Sequence, residues 1–121
     1  MLDIVFYSRS KQKPEYVEMS EDFYLWLAKS EFSKIGESEL TKIELDGEVL
    51  TLSLVHLGDR NRPYFSKFLR EEIVEESDVV LEQFSNANLK EDYQCLTYRL
   101  RKLQELRKCV ENKNYQYLQR V

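Results

Sequence analysis

The sequence predicts an α+β fold: a small antiparallel sheet, formed by an N-terminal strand and an Asp-Gly β-hairpin, packed against three helices, the last two as an antiparallel helical hairpin. Three observations predict it. Residues 40–45 and 48–55 alternate apolar and polar side chains on either side of Asp46-Gly47. Residues 2–7 are rich in β-formers. The second half of the chain repeats apolar residues at helical spacing, first from Phe65 to Phe84 and then from Leu96 to Val110. At 121 residues with 3 Gly and 2 Pro, the chain has the size of a single domain, 1–121, with one core.

The first strand, within 2–7, is expected to lie against the hairpin sheet. Arg9 to Pro14 has no apolar residue before its proline and reads as an exposed basic loop. Ser20, followed by Glu21 and Asp22, is a helix cap with acids placed to meet the helix dipole, so a helix is expected over about 20–32. Its run Phe23-Tyr24-Leu25-Trp26-Leu27-Ala28 is apolar around most of the circumference, which suits a helix sandwiched in the core or one that offers an apolar face to a partner.

In the hairpin, Leu45 opposite Glu48 puts Ile43 and Leu45 on one face with Leu50, Leu52 and Leu54, and Lys42, Glu44, Thr51 and Ser53 on the other. An apolar sheet face needs cover, and the helices are expected to supply it. Pro63 suits a first helical turn. From there Phe65, Leu69, Ile73, Ser77, Val80 and Phe84 run at roughly four-residue spacing, with a kink or restart expected at Ser77-Asp78. A turn at 85–88 follows, with Asn88 capping a last helix whose stripe is Leu96, Leu100, Leu103, Leu106 and Val110. Cys95 and Cys109 fall in that helix, about 21 Å apart, too far to bridge.

The charge balance, 18 Lys and Arg against 22 Asp and Glu, gives a net charge of −4, which argues against bulk attachment to nucleic acid or to an anionic membrane. Residues 71–89 hold six acids (Glu71, Glu72, Glu75, Glu76, Asp78, Glu82) and no base, whereas 90–121 hold eight bases and four acids. No apolar run approaches the roughly 18 residues of a membrane span, and the first apolar stretch is too short for a secretory core, so a cytoplasmic protein is the expectation.

No catalytic residue set stands out. The chain has no glycine-rich phosphate loop and no serine in a glycine elbow, and with one histidine it cannot build a Cys/His zinc set, so no cofactor or metal is expected. The expected role is a small acidic protein-binding module of the inhibitor, immunity or antitoxin kind, or a mobile-element accessory protein, with a basic protein partner. Its expected binding residues are Glu71, Glu72, Glu75, Glu76, Asp78 and Glu82 together with Tyr24 and Trp26. Incomplete cover of residues 23–28 would favour a homodimer. The alternative is a small-ligand-binding protein or enzyme that uses His56, Asp59, Arg60 and Arg62, which the junction between sheet and helix gathers into one polar loop.

Overall fold

A computed structural model describes residues 2–8, 13–86 and 93–120. It is an α+β fold with a five-stranded antiparallel sheet and three helices. In chain order the elements are β1 (Leu2–Ser8), β2 (Glu15–Met19), α1 (Glu21–Lys29), a 3₁₀ turn (Glu31–Lys34), β3 (Glu39–Leu45), β4 (Glu48–His56), α2 (Arg62–Asn86), α3 (Tyr93–Glu111) and β5 (Tyr115–Gln119). The sheet order is β2-β1-β5-β4-β3.

Two strands lie outside the sequence expectations. β2 pairs with β1 through Ile4↔Val17 and Leu2↔Met19, so its Val17 and Met19 point to the core while Tyr16 and Glu18 point away. β5 is central, between β1 (Phe6↔Leu118) and β4 (Val55↔Leu118). A tight turn delivers the chain from α3 into β5: the Asn112 N–H donates to Cys109 O, the Tyr115 N–H to Asn112 O, and the Asn114 N–H to Asn112 Oδ1.

The first helix is shorter than expected because Ser30 ends it. Its hydroxyl donates to Leu27 O and accepts from the Phe32 N–H, closing α1 and opening the 3₁₀ turn in one residue. At the other end Ser20 Oγ accepts from the Phe23 N–H, and the Ser20 N–H donates to the Tyr98 hydroxyl of α3. α2 runs unbroken through Ser77-Asp78, where a kink was expected. The Ser77 hydroxyl bonds back to Ile73 O within the helix instead of capping a new one. The expected cap at Asn88 lies outside the described residues.

The Asp46-Gly47 turn forms as expected, with φ of 49° and 81°, and the register Leu45↔Glu48, Ile43↔Leu50, Thr41↔Leu52 holds along the ribbon. Its cover is the opposite of the expected one. Helices pack on the face that carries Ile4, Phe6, Val17, Met19, Val55, Leu57 and Leu118, together with Phe23, Leu27, Phe32, Phe65, Leu69, Leu103, Leu106 and Val110. The Leu54 face looks away from them. There Leu54 and Ile43 join Val5, Tyr7 and Tyr117 in a second cluster, edged by Leu45 and Leu52. The reason lies in β4's junction with β5: Val55↔Leu118 commits odd-numbered β4 residues to the helix side, so the even-numbered leucines must face the other way. Both faces of the sheet are therefore apolar, and β3 with most of β4 extends past β5 as a two-stranded ribbon.

Candidate functional site

Two surfaces hold most of the residues singled out by the sequence, one on α2 and one at the junction of β4 with α2.

Phe65 and Leu69 of α2 are fully buried, which turns Glu71, Val74, Asp78 and Leu81 outward. Val74 and Leu81, seven residues and thus two turns apart, are each 63% exposed, and Val79 is 43% exposed. The run Val79-Val80-Leu81 is too apolar for one side of a helix to bury. Only Val80 points inward. Glu71, Glu75, Asp78 and Glu82 are exposed around this apolar line. Glu76 differs: its carboxylate is largely covered and lies 3.5 Å from Arg99 of α3. Half-buried Glu72 has its carboxyl pushed up by burial and then by Glu75, against the pull of Arg99.

Arg99 also connects the two helices to α1. Its guanidinium lies 4.3 Å from the centre of the Trp26 ring, which stacks on Phe68 of α2 at 6.3 Å. Trp26 and Tyr24 are thus half-buried against the core, and the exposed residues of the α1 apolar run are Leu25 and Ala28. Of the six acids of α2, Glu76 is the one in an ion pair with the last helix among the described residues. Glu111, on α3 itself, takes the strongest pairing, held by Arg70, Arg107 and Ser66.

The second surface is a groove of about 1040 Å³ lined by His56, Asp59 and Arg60 from the expected loop. Its facing wall, from Lys34 to Glu39, was not legible as part of any site. Gly36, at φ +65°, lets that wall approach within 2.8 Å of the Asn61 amide, measured from where a Cβ would sit. Arg120, at the end of β5, pins the same wall by donating to Phe32 O and Gly36 O. Asn61 in turn donates to His56 O, and the His56 ring lies edge-on to Tyr117 with Nε2 3.7 Å from Glu39. Three carboxylates (Glu37, Glu39, Asp59) and two bases (Lys34, Arg60) line the groove beside His56, a mixture that does not concentrate anions.

Arg62 is not in the groove. Its guanidinium points into the fold and donates to four carbonyls: Val110 O and Asn112 O through one nitrogen, Leu57 O and Tyr115 O through the other. Burial lowers its pKa and Asp59 opposes that shift. Arginine stays charged in such a site. The sequence places Arg62 beside Arg60 in a polar loop, and only the tertiary arrangement separates a surface residue from an internal clamp.

Cys95 is exposed and Cys109 half-buried, both as free thiols, and burial pushes the Cys109 thiol up to about 11. Among the described residues no three His, Cys, Asp or Glu side chains converge as a metal site, and no helix is long and apolar enough to cross a membrane. No family model, curated protein or solved structure matches the chain.

Proposed function

We propose that the protein is a binding module that covers a basic, partly apolar surface of another protein with the outer side of α2. The observation that supports this reading is the line of Val74 and Leu81 set among four exposed carboxylates, Glu71, Glu75, Asp78 and Glu82. Apolar side chains on a helix surface cost solvation unless a partner covers them, and the surrounding carboxylates select a partner of opposite sign while speeding its encounter. A long helix braced at its back by α3 holds such a surface rigid, which limits the entropy lost on binding. A module of the inhibitor, immunity or antitoxin kind requires nothing more than this shape and potential.

The groove supports a second reading, that of a small-ligand site, because it brings His56, Asp59 and Arg60 together in a concave surface. A comparison of variants separates the two. The partner is sought first in the product of the adjacent open reading frame, and its affinity is measured by calorimetry at low and moderate salt. Replacement of Glu71, Glu75, Asp78 and Glu82 by Lys is expected to weaken binding about tenfold or more and to reverse its salt dependence. His56→Ala with Asp59→Ala is expected to bind as the parent does. The opposite pattern, an unaffected α2 variant and an inactive groove variant, would replace the binding-module reading with the ligand reading.

A further inference from the structure

The outer edge of the sheet is β3, Glu39-Leu-Thr-Lys-Ile-Glu-Leu45, which sets one base, Lys42, and one acid, Glu44, two residues apart along the edge. The two-residue turn makes Leu45↔Glu48 the hydrogen-bonded closing pair of the hairpin, so residues 39, 41, 43 and 45 spend their backbone groups on β4. The N–H and C=O groups of Leu40, Lys42 and Glu44 consequently point outward along the free edge. All three residues are exposed, Leu40 by 80%. Among the described residues neither Lys42 nor Glu44 is in an ion pair.

We propose that this edge pairs with the β3 edge of a second copy of the chain, antiparallel and centred on Ile43. Charge selects the register. Centring on Lys42 sets Lys42 against Lys42 of the other copy, and centring on Glu44 sets two glutamates together. Centring on Ile43 instead sets Lys42 opposite Glu44 twice, once on each side of the two-fold axis. In that register the Lys42 and Glu44 positions form the hydrogen-bonded pairs, as their outward backbone groups require, and Ile43 meets Ile43 at a close non-bonded pair. Because opposed residues share a face, the apolar side that carries Ile43, Leu45 and Leu54 continues from one copy into the next. The opposite sheet edge, β2, holds Glu15 and Glu18 and no base, and offers no such complement. This interface is independent of the α2 surface and of the reading built on it.

The test uses the full chain in analytical ultracentrifugation, with Lys42→Glu, Glu44→Lys, the double exchange, and an equimolar mixture of the two single variants. Both side chains are exposed, so circular dichroism and melting should show each variant folded as the parent is. The parent is expected to dimerise, and each single reversal to weaken dimerisation about thirtyfold, since two attractive pairs become repulsive. The double exchange is expected to restore the dimer, and the mixture to form a heterodimer that neither variant forms alone. A parent that stays monomeric up to about 1 mM, a dimer indifferent to the single reversals, or a mixture that does not recover association would each overturn the proposal.

Discussion

Replacing Arg62 should destabilise the fold severely. Its guanidinium donates to Leu57 O at the end of β4, to Val110 O and Asn112 O at the end of α3, and to Tyr115 O at the start of β5. Arg62→Ala removes all four donors at once. The carbonyls at Leu57 and Val110 belong to residues that are 1% and 0% exposed, so water cannot fully replace the donors there. A hydrogen bond to a charged group contributes about 1.5–3 kcal/mol, and partial hydration of the exposed Asn112 end reduces the sum, so a loss of about 3–5 kcal/mol is expected. For a chain of this length the unfolding entropy makes 1 kcal/mol equivalent to about 4 °C, which places the melting temperature about 12–20 °C lower. Urea unfolding followed by circular dichroism measures the free energy directly. Arg62→Lys, with one point charge in place of the fork, should recover less than half of the loss. A cost below about 1 kcal/mol for Arg62→Ala, within the range of an ordinary surface substitution, would refute the clamp.

Acid should weaken the fold through Glu111. The hydrogen bond from Arg70 is the largest cause that holds its carboxyl well below the ordinary range, at about 2, with burial opposing and Ser66 and Arg107 assisting. A depressed carboxyl stabilises the folded chain above the ordinary carboxylate pKa and loses that contribution as pH falls from about 4.5 towards 2. Discounted for solvent at the carboxylate, the contribution is about 1–2 kcal/mol. Urea midpoints measured from pH 6 to pH 2 should therefore fall more steeply for the parent than for Glu111→Gln, and parallel curves would contradict the assignment. Gly36→Ala should cost about 1–3 kcal/mol, because φ is +65° and the new methyl would meet Asn61 Nδ2 at 2.8 Å and Val55 Cγ1 at 2.9 Å. A melting temperature equal to the parent's would show that the wall yields freely.

The sequence discloses those parts of the fold that are decided locally. Asp46-Gly47 sets the hairpin register, Ser20 caps α1, and the Leu96-to-Val110 stripe turns Leu103, Leu106 and Val110 into the core. What stayed hidden depends on distant pairing. The alternation of Tyr16, Val17, Glu18 and Met19 has the period of a strand but is only four residues long, and it gains meaning once Ile4 and Leu2 lie beside it. Likewise, which face of the ribbon meets the helices follows from a junction of two residue pairs with β5 rather than from the ribbon's own pattern. The candidate sites divide in the same way. Exposure of Glu71, Glu75, Asp78 and Glu82 followed from their density and from the helix period, whereas the groove wall at Lys34 to Glu39 and the inward turn of Arg62 needed the tertiary fold.

The central place of β5 has a kinetic consequence. The β1–β2 and β3–β4 hairpins each close a short loop and can form within microseconds. Neither touches the other in the sheet until β5 lies between them, and its pairing of Tyr7 with Tyr117 joins residues more than a hundred positions apart. Loop closure over that separation comes late and slowly, so the two hairpins wait with open inner edges. During synthesis the sheet stays in two parts until residues 115–119 have cleared the ribosome, which makes insertion of β5 the step that sets the pace of folding and leaves the Val55 edge of β4 open to mispairing until then.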